Sequence, residues 1–340
     1  MTGRLEGEIK IREATEKLLL DLPNYVEDWT RLLRASDCTE ATIKNYTDKI
    51  SKFLRYINTN AKDVTPDDIT PDITIDYYTS LKTKIKNGKV CETSDSYKRT
   101  CWYALNSFLG FLAKRDKIKY NYITDIDKPK DNDLDRIKET RIKLTEKDFH
   151  NILNAVNNGA GSHRARARQR EWKERDMCIL VLFMMTGMRN TAMSQINLED
   201  INFEDRTLIV RDKGKRTHKY YIEDAAMKVL NNWLIKRKDI LTKKKVDTNS
   251  LFISNRCERI SAMSISDMVK KYSEAGMGVG ISPHKIRAGF CSILYEKNPD
   301  LLFVSRAVGH ADTKVTLRYI VTDDSLIKKS AGIMNNVITN

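Results

Sequence analysis

Residues 186–196 read Thr-Gly-Met-Arg-Asn-Thr-Ala-Met-Ser-Gln-Ile, with Arg189 standing two residues beyond a glycine that interrupts an apolar run. Four more short patterns follow in order: DKGK at 212–215, HKIR at 284–287, VGH at 308–310, and Tyr319, nine residues after that histidine. Each pattern alone is common by chance. Their order and spacing within one chain decide the reading.

Local rules place each pattern on an element. The run Met177 to Met185 predicts a buried helix that ends at Thr186-Gly187. Leu208 to Val210 and Tyr220 to Ile222 read as two strands joined around Lys213-Gly214-Lys215. Ser282 stands where a cap is needed and Pro283 at the first helical position. His284 and Arg287 then fall three apart, on one helix face. Val308-Gly309 turns the chain before His310, and Asp312 is placed to cap a helix bearing Tyr319. From Asp224 onward the remaining chain reads as helix with short loops.

Working outward toward the N-terminus, Leu144, Thr145, Asp148 and Phe149 give an approximate capping box with a hydrophobic staple. The segment from Lys128-Pro129-Lys130 onward is polar and without apolar period, so 129–143 reads as a linker. Before it, Ile43, Tyr46, Ile50, Phe53, Leu54 and Ile57 recur at helical steps, as do Trp102, Leu105, Phe108, Leu109 and Leu112. Thr65-Pro66-Asp67-Asp68 reads as another helix start. Residues 39–128 therefore predict a small helical bundle, preceded by a polar helical extension over 1–38. Lys98 and Arg99, near the beginning of the third strong helix, are either phosphate contacts or solvated charges. The basic insertion GSHRARARQR at 161–170 carries the same two readings.

Composition narrows the class. The 340 residues suggest two domains, each large enough for its own core. Sixty basic side chains against 46 acidic ones give +14, an excess that draws a polyanion. Only 14 Gly and 6 Pro argue against a low-complexity chain and for a helix-rich one. No apolar run approaches the roughly 20 residues of a membrane span, and the N-terminus has no signal core; the expected location is cytoplasmic. The six cysteines are scattered with no CxxC pair, so neither a zinc site nor a disulfide framework is expected. Phosphate-loop, dinucleotide and zinc-protease signatures are missing too. No cofactor and no metal are expected.

The residue types converge on phosphodiester chemistry. A phosphorus centre under attack gathers negative charge on its non-bridging oxygens. Arg189 and Arg287 offer permanently charged, forked donors that fit those oxygens, stabilising charge where it develops. Tyr319 is a phenol able to attack phosphorus and form a covalent intermediate. Lys213 on the hairpin turn can protonate a leaving hydroxyl, although Lys215 and Lys219 lie in the same hairpin. His284 and His310 can bond the phosphate or manage the tyrosine proton. His150, His163 and His218 show no partner pattern and are read as non-catalytic.

Together the five patterns resemble the tyrosine recombinase (phage integrase) family, over about residues 144–325. By that resemblance Arg189 is similar to the first catalytic arginine, Lys213 to the hairpin lysine, His284 and Arg287 to the HxxR pair, His310 to the second histidine and Tyr319 to the nucleophile. Two positions depart: Ala192 where the family usually has an acid, and Ala288 where it commonly has histidine. The implied fold is mainly α (α+β), an all-helical core-binding bundle at 39–128 and a mostly helical catalytic domain at 144–324 with a small antiparallel sheet. The implied activity is site-specific recombination of double-stranded DNA through a 3′-phosphotyrosyl bond and a Holliday junction, without metal or ATP, by a homotetramer. Alternatives are relaxation of DNA in the manner of a type IB topoisomerase, or regulation by DNA binding alone. Leu326, Ile327, Ile333, Met334 and Val337 make an apolar stripe in the 325–340 tail, which packs either back on its own domain or, as the resemblance implies, on a neighbouring protomer.

Overall fold

The computed structural model describes residues 3–86, 88–129, 143–211 and 217–309. The chain divides into two compact units, the described residues up to 129 in the first and those from 143 in the second.

In the first unit, Thr39 caps the helix Glu40–Ile57, its side chain accepting from the Thr42 amide. Ile43, Ile50, Phe53 and Leu54 are fully buried, as the helical spacing predicts. They meet Leu105, Phe108, Leu109 and Leu112 of the helix Asp95–Ala113, which Ser94 caps. The helix Asn24–Ala35 adds Val26, Trp29 and Leu33 to the same core. Trp29 stands edge-on to Phe108 at 5.3 Å and donates its indole N–H to Ser107 at 3.1 Å. A division at residue 38 thus cuts through one hydrophobic core. The physical reason is burial: Val26, Trp29 and Leu33 leave water only by packing into the same cluster as Ile50, Phe53 and Phe108.

One element departs from an all-helical bundle. Thr83–Lys86 and Lys89–Glu92 form a two-stranded antiparallel hairpin, β1 and β2, with Ile85 opposite Val90. Asn87-Gly88 is a strong hairpin dipeptide in sequence, and Gly88 has φ +74°. Ile85 and Val90 are 78% and 72% exposed. With both apolar residues Ile85 and Val90 exposed, the strands carry no core periodicity to read.

In the second unit, Thr145 and Asp148 form a true capping box at the head of the helix Glu146–Asn158. Leu144 and Phe149 both reach Gly289, where a Cβ would meet them at 2.8 and 3.2 Å. The basic insertion is helical over His163–Arg170 and has no buried residue. The helix Lys173–Thr186 runs through the core, burying Cys178, Ile179, Leu180, Leu182 and Phe183. Near its start Asp176, 2% exposed, accepts from Arg175 Nε and Nη2 at 3.0 and 2.8 Å and from the Tyr272 hydroxyl at 2.9 Å.

The small sheet is antiparallel with order β3 (Ile201–Asn202), β4 (Thr207–Arg211), β5 (Thr217–Tyr221). Leu208 faces Tyr220 and Val210 faces His218 in register. The stretch after the helix Asp224–Lys244 is not the continuous helix-and-loop run expected. Leu251, Phe252 and Ile253 are buried in the core outside any helix or named strand, with isolated bridges Asn197–Ser250 and Ile253–Arg259. Trp233 donates its indole N–H to Leu251 O at 2.9 Å, satisfying a backbone group that no regular element covers. The helices Ala262–Met277, Pro283–Lys297 and Leu301–Ala307 follow.

Candidate phosphodiester site

Arg189 is placed by a backbone break. Gly187 ends the helix Lys173–Thr186 in the left-handed region at φ +58°, its amide still bonded to Phe183 O. The chain then turns, and Arg189 takes the extended cap position of the short helix Asn190–Gln195, half-buried. Glycine is required twice over, because a Cβ at 187 would lie 2.6 Å from the Phe290 ring and 3.1 Å from Val308. A buried helix therefore delivers Arg189 on a rigid base.

Arg287 is placed by the helix Pro283–Lys297, with Pro283 at its first position. Ser282 stands at the cap, but its hydroxyl makes no capping bond; its carbonyl accepts from Lys285 and Ile286 instead. His284 is exposed at this helix start, one turn before Arg287, which is only 2% exposed. Burial of a guanidinium demands partners. Arg287 Nη1 donates to Gly187 O at 2.5 Å and Nη2 to Val308 O at 2.9 Å. One side chain thus ties the break before Arg189 to the turn before His310.

Strand β5 supplies a wall that sequence reasoning missed. His218 and Tyr220 alternate onto one face, their rings 4.4 Å apart and edge-on. His218 Nε2 bonds Ala307 O at 3.2 Å. Burial lowers the His218 pKa below its ordinary value, and the charges of Arg287 and Arg189 push the same way, while the bond to Ala307 opposes them. Burial raises the Tyr220 phenol, with Arg287 and Arg189 acting against it. Both arginines therefore act on the same two rings. The available signal was the alternation His218, Tyr220, Ile222 along a strand, which marks an inward face.

Lys213, His310 and Tyr319 lie outside the described residues, as do Lys215 and the 325–340 tail. Lys98 and Arg99 lie in the first unit, on the first turns of the helix Asp95–Ala113, both half-buried. Lys98 Nζ pairs with Asp95 at 2.7 Å. Beside them Lys49 sits 4.4 Å over the Tyr97 ring, with Lys52 at 5.9 Å. Ala192 is buried in the main core, and Ala288 packs with Cys291, Val304 and Val308, so neither position offers a polar group to the arginines. Among the described residues no cluster of His, Cys, Asp or Glu is built to hold a metal, and no helix is long and apolar enough to cross a membrane.

Comparison with known proteins places this arrangement. The fold is shared with site-specific recombinases: the structure of XerH recombinase bound to a palindromic difH substrate in a post-cleavage complex matches with TM-score 0.62 at 18% identity, covering 88% of this chain and 82% of that one. A lambda integrase tetramer bound to a Holliday junction matches with TM-score 0.58 at 18% identity, over 88% and 77%. The family model described as "Phage integrase family" matches residues 143–325, more than half of the chain, and the protein belongs to that family. Among curated relatives, tyrosine recombinase XerS of Streptococcus equi subsp. equi is 35% identical over 167 residues, 48% of this chain and 47% of XerS. The chain spans about half the length of such relatives.

Proposed function

We propose that this protein is a site-specific tyrosine recombinase acting on double-stranded DNA. The observation that carries the reading is the convergence of Arg189 and Arg287 on one wall, each delivered by a buried helix, with the turn at Val308 tied to the same point. Two forked cations in fixed positions are what a phosphoryl group under attack requires, since its charge grows on the oxygens they face.

In this reading Tyr319 Oη attacks the scissile phosphorus, forming a 3′-phosphotyrosyl bond and breaking the bond to the 5′ oxygen. Lys213 gives that oxygen its proton and leaves it as a free hydroxyl. Arg189 and Arg287 hold the non-bridging oxygens, with His284 and His310 at the phosphate and the tyrosine proton. The 5′ hydroxyl of a partner strand then attacks the phosphotyrosine and restores the phosphodiester, so bond energy is conserved. Two such exchanges join duplexes through a Holliday junction within a homotetramer, in the cytoplasm where the DNA lies. Lys98 and Arg99, beside Lys49 and Lys52, are proposed backbone contacts of the first unit, part of the basic excess that attracts DNA.

The test is covalent trapping. Wild type and Tyr319→Phe are incubated with DNA flanking the gene, stopped with SDS, and examined for protein on 3′ ends. A discrete adduct in wild type that is lost in Tyr319→Phe, with binding retained, is the expected result. Adducts scattered without sequence preference would replace this reading with relaxation of the topoisomerase type. Binding to a defined site without any adduct would replace it with regulation.

A further inference from the structure

We propose that His218 is a positioning residue for strand cleavage, its ring clasping the Ala307–Gly309 turn so that the chain leaves toward His310 and Tyr319 from a fixed point. The proposal rests on the recombinase reading above.

Three successive residues are held there by two side chains. Ala307 O takes the bond from His218 Nε2 at 3.2 Å. Val308 O takes the bond from Arg287 at 2.9 Å. Gly309, at φ +68°, comes so near the imidazole that a Cβ would sit 2.8 Å from Nδ1 and 3.0 Å from Cγ. Val304 and Val308 are fully buried, anchoring the preceding helix, so the turn has little freedom on that side.

The ring is itself held. It stands edge-on to Tyr220 at 4.4 Å, and its strand pairs with β4 so that Val210 faces it across the ladder. A carbonyl acceptor at Nε2 selects the tautomer with its proton there, leaving Nδ1 bare on the side where Gly309 approaches. The hairpin and the segment leading to His310 are therefore joined by one imidazole, 89 residues away in sequence from its acceptor. Displacement of reacting groups by about 1 Å costs on the order of 100-fold in rate, and a turn released at one of its two carbonyls permits such a displacement.

The experiment compares His218→Leu with His218→Gln, whose amide nitrogen reaches the same carbonyl. The probe is the DNA site captured by wild type in the trapping experiment, prepared as a nicked suicide duplex. Single-turnover cleavage, gel-shift affinity and Tm are read on the same preparations, with hydrogen exchange at the Val308 and Gly309 amides. Expected for His218→Leu is wild-type DNA affinity, cleavage ~10- to 100-fold slower, and faster exchange at both amides. His218→Gln is expected to recover the rate to within about threefold, because it keeps one hydrogen bond, and to restore slow exchange. Leu cleaving at the wild-type rate would overturn the proposal. So would Gln as slow as Leu, which would leave the ring a mere space-filler. If His218→Leu does not fold, His218→Asn, with its amide one methylene short of the carbonyl, replaces it. If wild type forms no adduct, the recombinase reading fails, and the exchange comparison still decides whether the clasp exists.

Discussion

Arg287 donates to the carbonyl oxygen of Gly187, 100 residues earlier, at 2.5 Å, while its other terminal nitrogen bonds Val308 O. The side chain proposed above to face phosphate is thus also a structural staple between two glycine turns. The proposed phosphate contact and the local order of two turns fall on one guanidinium.

Replacing it separates the two roles. Arg287→Lys keeps a positive charge but loses the fork, and one ammonium does not span both carbonyls. With a hydrogen bond to a charged group worth about 1.5–3 kcal/mol, urea unfolding is expected to lose about 2 kcal/mol. Unchanged stability would show that the fork carries no structural load.

Gly187→Ala tests the break that aims Arg189. The methyl group meets Phe290 at 2.6 Å in a backbone at φ +58°. Strained φ and overpacking each cost about 1–3 kcal/mol. Adding Phe290→Ala makes room for the methyl group but leaves the φ strain and opens space of its own. A coupling between the two substitutions of about 1 kcal/mol in a double-mutant cycle is therefore expected, and strict additivity would refute the clash.

Asp176 binds Arg175, Tyr272 and, at 3.8 Å, Lys271 Nζ. Asp176→Asn keeps the shape but leaves Arg175, itself 7% exposed, without its counter-charge. Breaking a buried pair on one side costs about 3–5 kcal/mol, so a Tm drop is expected that Tyr272→Phe alone does not reproduce. Equal drops would place the energy in the tyrosine bond.

His218 sets a pH dependence. Burial first, then the charges of Arg287 and Arg189, put its folded pKa below the ordinary 6.5, against the pull of Ala307 O. Between those two values the unfolded chain binds the proton and the folded chain does not. Stability is therefore fully present above about 6.5 and falls as pH drops through the folded pKa. Urea midpoints measured from about pH 7.5 to about pH 5 should decline more steeply in wild type than in His218→Gln; parallel profiles would contradict this.

The bundle helices were legible because burial repeats at helical steps: Ile43, Ile50, Phe53 and Leu54 lie where the spacing puts them. Thr39, Thr145 and Gly187 mark helix ends by chemistry that acts within four residues. The hairpin β1–β2 escaped because Ile85 and Val90 bury nothing. Residues 24–35 looked separate because sequence shows an apolar face without showing what covers it.

The sequence by itself determined which residue types stand at Arg189, His284 and Arg287, their order, and the local breaks that present them. Tertiary structure alone decided that Arg287 is buried while His284 is exposed, and that His218 joins them. The reason is physical. The deciding bonds run from a side chain to backbone carbonyls of Gly187, Val308 and Ala307, at separations of 100, 21 and 89 residues. Every residue carries a carbonyl, so no residue type announces the acceptor, and only the folded chain selects it.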